Sequence, residues 1–241
     1  MLLCSLGTPA LAQFTFQGKI DYERKVNLHR QFDDWASEEN SSWLEMMKAK
    51  LPKSASNHFN LYFTRKQSKY VPVPQEQDPM LAMIGGLPGT DNQVWNNYET
   101  GNMVAAKKVY EQNFLVADSM KRLQWKLMDE IRTIAGYSCR KAVCRIHDSV
   151  VVVAFYTDKI PISGGPELFC GLPGMIMEIA IPRLATTWVA VNVSLQEVAA
   201  TDLVVPEKGK KTNLKDMEKA VRSGTKDWGK FAEKSIWWSS L

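Results

Sequence analysis

By residue type, Cys139, Cys144 and Cys170 are the side chains best suited to covalent chemistry, and His29, His58 and His147 are those best suited to moving a proton. A thiol and an imidazole act as nucleophile and base only when they meet within hydrogen-bond reach. Cys139 and His147 are eight residues apart along one expected strand, too far to meet. Isolated Cys and His are more often structural. The three histidines lie in different segments without short ligand spacing, so no metal site and no cofactor are expected. The chain has neither a Gly-x-Ser-x-Gly elbow nor a phosphate-cradling glycine loop. Glu178, in the apolar run Met175-Ile176-Met177-Glu178-Ile179, shares a strand face with Ile176 and Ala180. A half-buried carboxylate there would seek Arg183 or Lys141, though an exposed face is the simpler reading. This thin inventory gives no catalytic residues and points away from an enzyme.

The elements that must hold these residues are mostly strands. Phe14, Phe16 and the stretch Lys19 to Val26 alternate as a first strand does. Between Arg30 and Leu51, residues Phe32, Trp35, Trp43, Met46 and Met47 fall near helical spacing. This predicts an amphipathic helix, interrupted near Asn40-Ser41-Ser42 and stopped by Pro52. Asn57 to Val71 reads as one strand through Phe59, Leu61 and Phe63. Pro72 to Asp91 holds four prolines and three glycines around the apolar patch Met80-Leu81-Ala82-Met83-Ile84. Long loops of this kind are often functional, so Met80, Leu81, Met83 and Ile84 are a candidate flap over an apolar cleft; packing back onto the core is the competing reading. Short strands follow: Trp95 to Glu99, Met103 to Tyr110, Asn113 to Val116, Leu123 to Leu127, Arg132 to Ile146, Val150 to Tyr156, Met175 to Ile181 and Thr186 to Val198. Asn213 is placed to cap a last helix carrying Leu214, Met217 and Val221 on one face. The fold class expected is α+β, a mainly antiparallel, curved sheet with an N-terminal and a C-terminal helix.

Residues 1–12 are uncharged and end in Ala10-Leu11-Ala12, the small-residue pattern of a signal-peptidase site. They are expected to be a signal peptide, and residues 13–241 a single domain. The product is then exported, to the periplasm, the outer-membrane surface or the medium, with no transmembrane span, since no stretch reaches the roughly 18–20 apolar residues required. A net charge of +4 from 30 basic and 26 acidic residues, interspersed, excludes a nucleic-acid stripe. In an oxidising compartment the three remaining thiols allow at most one internal disulfide. Cys139 and Cys144 would lie about 16 Å apart on an extended strand, beyond the about 7 Å a disulfide tolerates. Cys170 is therefore the candidate partner for either, and three buried thiols are an equal alternative.

Four blocks carry a family resemblance when taken in order. They are Trp125-Lys126-Leu127, Ile134 to Ala142 (Ile-Ala-Gly-Tyr-Ser-Cys-Arg-Lys-Ala), Phe155-Tyr156-Thr157 with Ile160-Pro161, and Gly165 to Ile176 (Gly-Pro-Glu-Leu-Phe-Cys-Gly-Leu-Pro-Gly-Met-Ile). This set resembles the GLPGLI family of exported bacterial proteins, over roughly residues 94–182, with Met175 where the family name implies Leu. The resemblance implies no established activity. The expected plan is also similar to the curved half-barrel sheets of periplasmic lipoprotein carriers, a likeness of pattern that licenses no function.

Physically, Gly171-Leu172-Pro173-Gly174 fits a tight turn, and Gly164-Gly165-Pro166 a bend upstream, pinning Leu168 and Phe169 between them. This block reads first as a shaped corner and second as a ligand-lining loop. The functional expectation is a non-catalytic binding or carrier module for an apolar ligand or partner segment. The alternative is an accessory protein docking on an outer-membrane receptor or transporter through Trp237-Trp238 and the basic residues Lys208 to Lys211.

Overall fold

Period-two alternation in the first strand puts Ile20, Tyr22, Arg24 and Val26 on one fully buried face. That strand, β1 (Gly18–Asn27), sits near the middle of a sheet of twelve strands. The computed structural model describes residues 16–33, 41–76, 78–83, 85–147 and 149–241. The expected leader, residues 1–12, lies outside these, as do Phe14, Trp35, Asn40 and Ile84.

The chain continues through α1 (Leu28–Asp33), α2 (Ser41–Lys50), β2 (Ser54–Phe63), β3 (Gln67–Pro72) and α3 (Pro79–Met83). Two three-stranded meanders follow at opposite ends of the sheet, β4 (Gln93–Asn97), β5 (Asn102–Val109) and β6 (Gln112–Ser119), then β7 (Lys126–Ile134), β8 (Tyr137–Ile146) and β9 (Val150–Thr157). After a long loop come β10 (Met175–Ile181), β11 (Thr186–Ser194), β12 (Lys210–Thr212), α4 (Leu214–Gly224) and α5 (Lys230–Ser239). The spatial order is β12-β6-β5-β4-β3-β2-β1-β11-β10-β9-β8-β7. Every pairing is antiparallel except β12 with β6. Register shifts at Asp21/Tyr22, Ile176/Glu178 and Leu127/Ile131 supply bulges, which bend and twist strands into a curved, open sheet. The expected fold class is the one observed.

The principal core covers the inner face of the sheet and includes Ile236, Trp237 and Leu241 from the C-terminal segment. Trp238 of α5 lies 6.3 Å from the ring of Trp188 on β11, so this helix packs across that face. A second, smaller cluster joins Val26, Leu28, Phe32, Leu44, Met47, Leu51 and Leu81 at one end. Within α2 the buried stripe is Leu44 and Met47, continued by Leu51 just past its end, and Trp43 and Met46, expected to face inward, are about half exposed. A stripe three and four residues apart can bury only one of two competing apolar sets, and the leucine set faces α1 and Val26.

Two expected strands divide into hairpins. The stretch Asn57 to Val71 breaks at Thr64, whose hydroxyl accepts from the backbone N–H of Lys66 and Gln67, a side-chain turn without Gly or Pro. Arg132 to Ile146 breaks at Ala135-Gly136, both at positive φ, 47° and 81°, the conformation of a two-residue hairpin turn. The Leu123 to Trp125 segment lies outside the strands, and β7 begins at Lys126. At α4 the expected cap is present, with α5 following it: the Asn213 side chain accepts from the Asp216 N–H at 2.8 Å.

Candidate functional site

The inward column of β5 runs Met103, Ala105, Lys107, all at most 2 % exposed, so alternation carries a lysine into the interior. On β1 the same logic buries Arg24, directly across from Asn57 of β2. Two cations thus enter an apolar interior near the same end of the sheet, where each needs partners.

The two Gly-Leu-Pro-Gly segments help supply them. At the first, Gly86 to Gly89, the carbonyl of Pro88 accepts from Arg24 Nη1 at 2.7 Å. Arg24 Nη2 donates to Asn57 Oδ1 at 2.7 Å, and its guanidinium lies over the rings of Phe59 and Trp238. Gly89 has φ of 67°, and a Cβ there would lie 2.9 Å from Asn92 Nδ2 and 3.3 Å from Arg24 Nη1, so glycine lets the turn close over the cluster. The loop leading to the second segment contributes Glu167, buried and at φ of 53°. A non-glycine residue held in that region costs energy and often marks a site with a special demand. Glu167 Oε2 accepts from Asn92 Nδ2 at 2.8 Å and lies 3.9 Å from Lys107 Nζ. The two turns are unrelated as repeats, yet Asn92 and Glu167 tie their loops together.

A cavity of about 510 Å³ opens beside this cluster. Residues 85–92 and Leu81 form one wall, α5 with Phe231, Ser235 and Trp238 the opposite wall, and Leu28 and Phe32 of α1 an end. Tyr110, Trp228 and Phe231 remain 40–52 % exposed, which places them at the rim, whereas Lys107 and Asn92 are buried at the floor. The rings of Tyr110 and Trp228 meet edge to face at 4.7 Å.

Burial pushes the ionisation of Lys107 down, opposed by the charge of Glu167. Arg24 is likewise lowered by burial. Lys121, which donates to the carbonyl of Ser240, is brought down to about 8, first by burial and then by repulsion from Lys107. Arg24 and Lys107, both buried, therefore share this neighbourhood with Glu167, the one buried carboxylate among the described residues, while the partly buried Lys121 also feels Glu218 and Asp118.

Of the candidate flap, Leu81 is buried against the smaller core, Met80 packs beside it, and Met83 is 70 % exposed. Leu81 lines the cavity as well, so packing on the core and walling the cleft are the same arrangement. The 171–174 turn stands apart from the cavity. Leu168, Phe169 and Leu172 are buried in the main core, Trp125 Nε1 donates to the Cys170 carbonyl at 2.9 Å, and Leu168 N donates to the Leu241 carbonyl at 2.8 Å. Pro173 follows Leu172 in this corner, and Gly171 N donates to Ser163 Oγ at 2.9 Å. Glu178 pairs with Arg132, at 3.2 and 3.3 Å, instead of Arg183 or Lys141. Lys141 pairs with Glu130 and Arg183 lies over Trp237. Trp237 is buried and Trp238 faces the interior, so that pair offers no outward docking surface.

The candidate disulfide is absent: Cys139, Cys144 and Cys170 are all free and buried. Each packs as a small apolar group, with Cys139 and Cys144 together on β8 and Cys170 donating to the Lys121 carbonyl. Burial raises the three thiols to about 11, about 12 and about 11 in that order. Below pH 9 the thiols stay protonated in both states and this stabilisation is complete. As pH rises through 9 to 12 the unfolded chain loses these protons first, so stability falls. Lys121 acts oppositely, adding stability between about 8 and 10.5. Lys107 shifts in the same sense as Lys121, whereas the phenols Tyr22, Tyr70 and Tyr98 are raised by burial and add to the decline above their ordinary range. Urea unfolding across pH 9 to 12 is therefore expected to show a net decline, shallower in Cys144→Ala by up to about 1.4 kcal/mol per pH unit. A flat profile would contradict the buried-thiol assignment.

The fold and cavity together define an open, curved antiparallel sheet with a helix across its inner face and a walled cleft at one end. A family described as "Protein of unknown function (Porph_ging)" matches residues 143–178, the stretch from β8 through the loop to β10. Two solved structures of PNGF-II, in space groups C2 and P21, are similar in fold, each with a TM-score of 0.53, at 13 % and 14 % identity, over 93 % and 84 % of this chain. This chain spans about a third of their length, 33 % in both cases. No curated protein matches the chain.

The four central residues, Arg24, Asn92, Lys107 and Glu167, were not singled out from the sequence. A signal was there for two of them: Arg24 keeps step with Ile20 and Tyr22, and Lys107 with Met103 and Ala105. The phase of a strand outranks the usual exposure of its residue types.

Proposed function

We propose that this chain is a non-catalytic binding or carrier protein of the cell envelope, belonging with the exported GLPGLI-type proteins, that takes an apolar small molecule into the cleft between α5 and residues 81–82 and 85–92. The observation that carries this reading is the cavity of about 510 Å³, within the roughly 300–1,000 Å³ usual for small-molecule sites, with Leu28, Phe32, Leu81, Phe231 and Trp238 in its lining. Aromatic groups at the rim favour an amphiphile, because their exposed edges tolerate water while their faces hold a chain. The export signal read at residues 1–12 supports an envelope location, and the small apolar helix α3 supports a wall able to yield to a ligand.

The neutral fluorophore N-phenyl-1-naphthylamine tests the reading. The full chain is expected to enhance its emission at one saturable site. Ala82→Trp, which projects an indole from the cavity wall, should abolish that enhancement at unchanged Tm. Absence of enhancement, or equal enhancement in the variant, would count against the cleft as a binding site.

A further inference from the structure

We infer that the ligand of this cavity carries a single anionic group on an apolar tail, a carboxylate or a phosphate monoester, and that Lys107 is the side chain that receives it; the inference rests on the binding reading above. Lys107 is buried, lines the cavity floor, and its Nζ has no hydrogen-bond partner among the described residues. An ammonium offers three donors, and leaving them unmet in a buried site is costly. Glu167, its nearest carboxylate, is at 3.9 Å, beyond hydrogen-bond length, and the oxygen that faces Lys107 already accepts from Asn92.

Charge distinguishes an anion from a neutral acceptor here. Arg24 and Lys107 are both buried, and Glu167 is the one buried carboxylate among the described residues that stands against them; the partly buried Lys121 has Glu218 and Asp118 as counter-charges of its own. Arg24 spends its Nη donors on the neutral acceptors Pro88, Asn57 and Thr90, and its Nε is also unpartnered. A carbonyl or hydroxyl on the ligand would fill the donors of Lys107 and leave the excess charge. An anionic group would meet both needs. The apolar walls above the floor then take the tail, which fixes the ligand as an amphiphile with its head inward. Glu167 in turn repels a second anionic group beside the first, which limits the ligand to one head.

Displacement of N-phenyl-1-naphthylamine from the full chain by dodecanoate, dodecyl phosphate, 1-dodecanol and dodecylamine separates the possibilities. Both anions are expected to compete about tenfold or more better than the alcohol, the fold-change of one charge-assisted hydrogen bond, with the amine weakest. Lys107→Met should bring the anions to the level of the alcohol while the alcohol itself is unchanged, and Lys108→Gln, at the exposed rim, should keep the preference. Equal competition by anion and alcohol in the unsubstituted protein would overturn the inference and leave the binding reading standing. So would an anion preference that survives in Lys107→Met. Failure of every amphiphile to displace the probe would instead remove the binding reading itself.

Discussion

Glu167→Gln is expected to destabilise the protein by about 3–5 kcal/mol, the usual cost of removing one partner from a buried charge pair. The substitution keeps shape and removes only the negative charge, so Arg24 and Lys107 are left buried with no carboxylate among the described residues beside them. Asn92 still finds an amide oxygen, which confines the loss to electrostatics. In chemical denaturation the midpoint should fall without a change in slope. The double variant Lys107→Met, Glu167→Gln should recover a large part of the loss, because an apolar group then replaces the uncompensated ammonium. A loss below about 1 kcal/mol in the single variant, the range of exposed pairs, would show that Glu167 does not hold this cluster together.

Gly174→Ala is expected to cost about 2–4 kcal/mol, combining overpacking against fixed backbone with an unfavourable φ. A Cβ at this position would lie 2.1 Å from the carbonyl oxygen of Thr157 and 2.8 Å from its carbon, and φ is 157°. Thr157 closes β9 where it pairs with Met175 of β10, so the strand cannot move aside without breaking the ladder. Gly171, with φ of 94° but only the Trp125 ring within 4 Å, should be hurt less by the same change, through φ alone. Thermal unfolding of the two variants side by side measures the difference, and equal losses would contradict the close approach at Gly174. Backbone conformation alone accounts for about 1 kcal/mol of this; the contact with Thr157 supplies the rest.

Where local chemistry decides structure, the chain is legible. β10 begins and ends at Met175 and Ile181 as alternation and the preceding Pro-Gly require, and α4 starts after Asn213 because a side-chain cap is a local event. The Thr64 turn escaped because a hydroxyl replaced the usual Gly or Pro signal. The helix face was misread because Trp43 and Met46 are large apolar residues, and only the position of Val26 and Phe32 determines that Leu44 and Met47 face inward. The site was hidden for a related reason. Arg24 and Glu167 lie far apart in sequence, and nothing short of the strand order shows that β1, the 85–92 turn and the 165–174 loop meet. Of the apolar patch at residues 80–83, Leu81 and Ala82 line the cleft, whereas Met80 packs on the smaller core and Met83 is exposed.

On the proposal made above, an amphiphile lies in this cleft with its charged head at Lys107. A crystal structure of the protein with 12-bromododecanoate tests it in one measurement, because the anomalous signal of bromine locates the tail and the electron density locates the head. The expected result is a bromine peak toward the rim formed by Tyr110, Trp228 and Phe231, with a carboxylate oxygen within hydrogen-bond distance of Lys107 Nζ. A bromine peak elsewhere on the molecule, or a cleft that stays empty when the ligand is saturating, would contradict it.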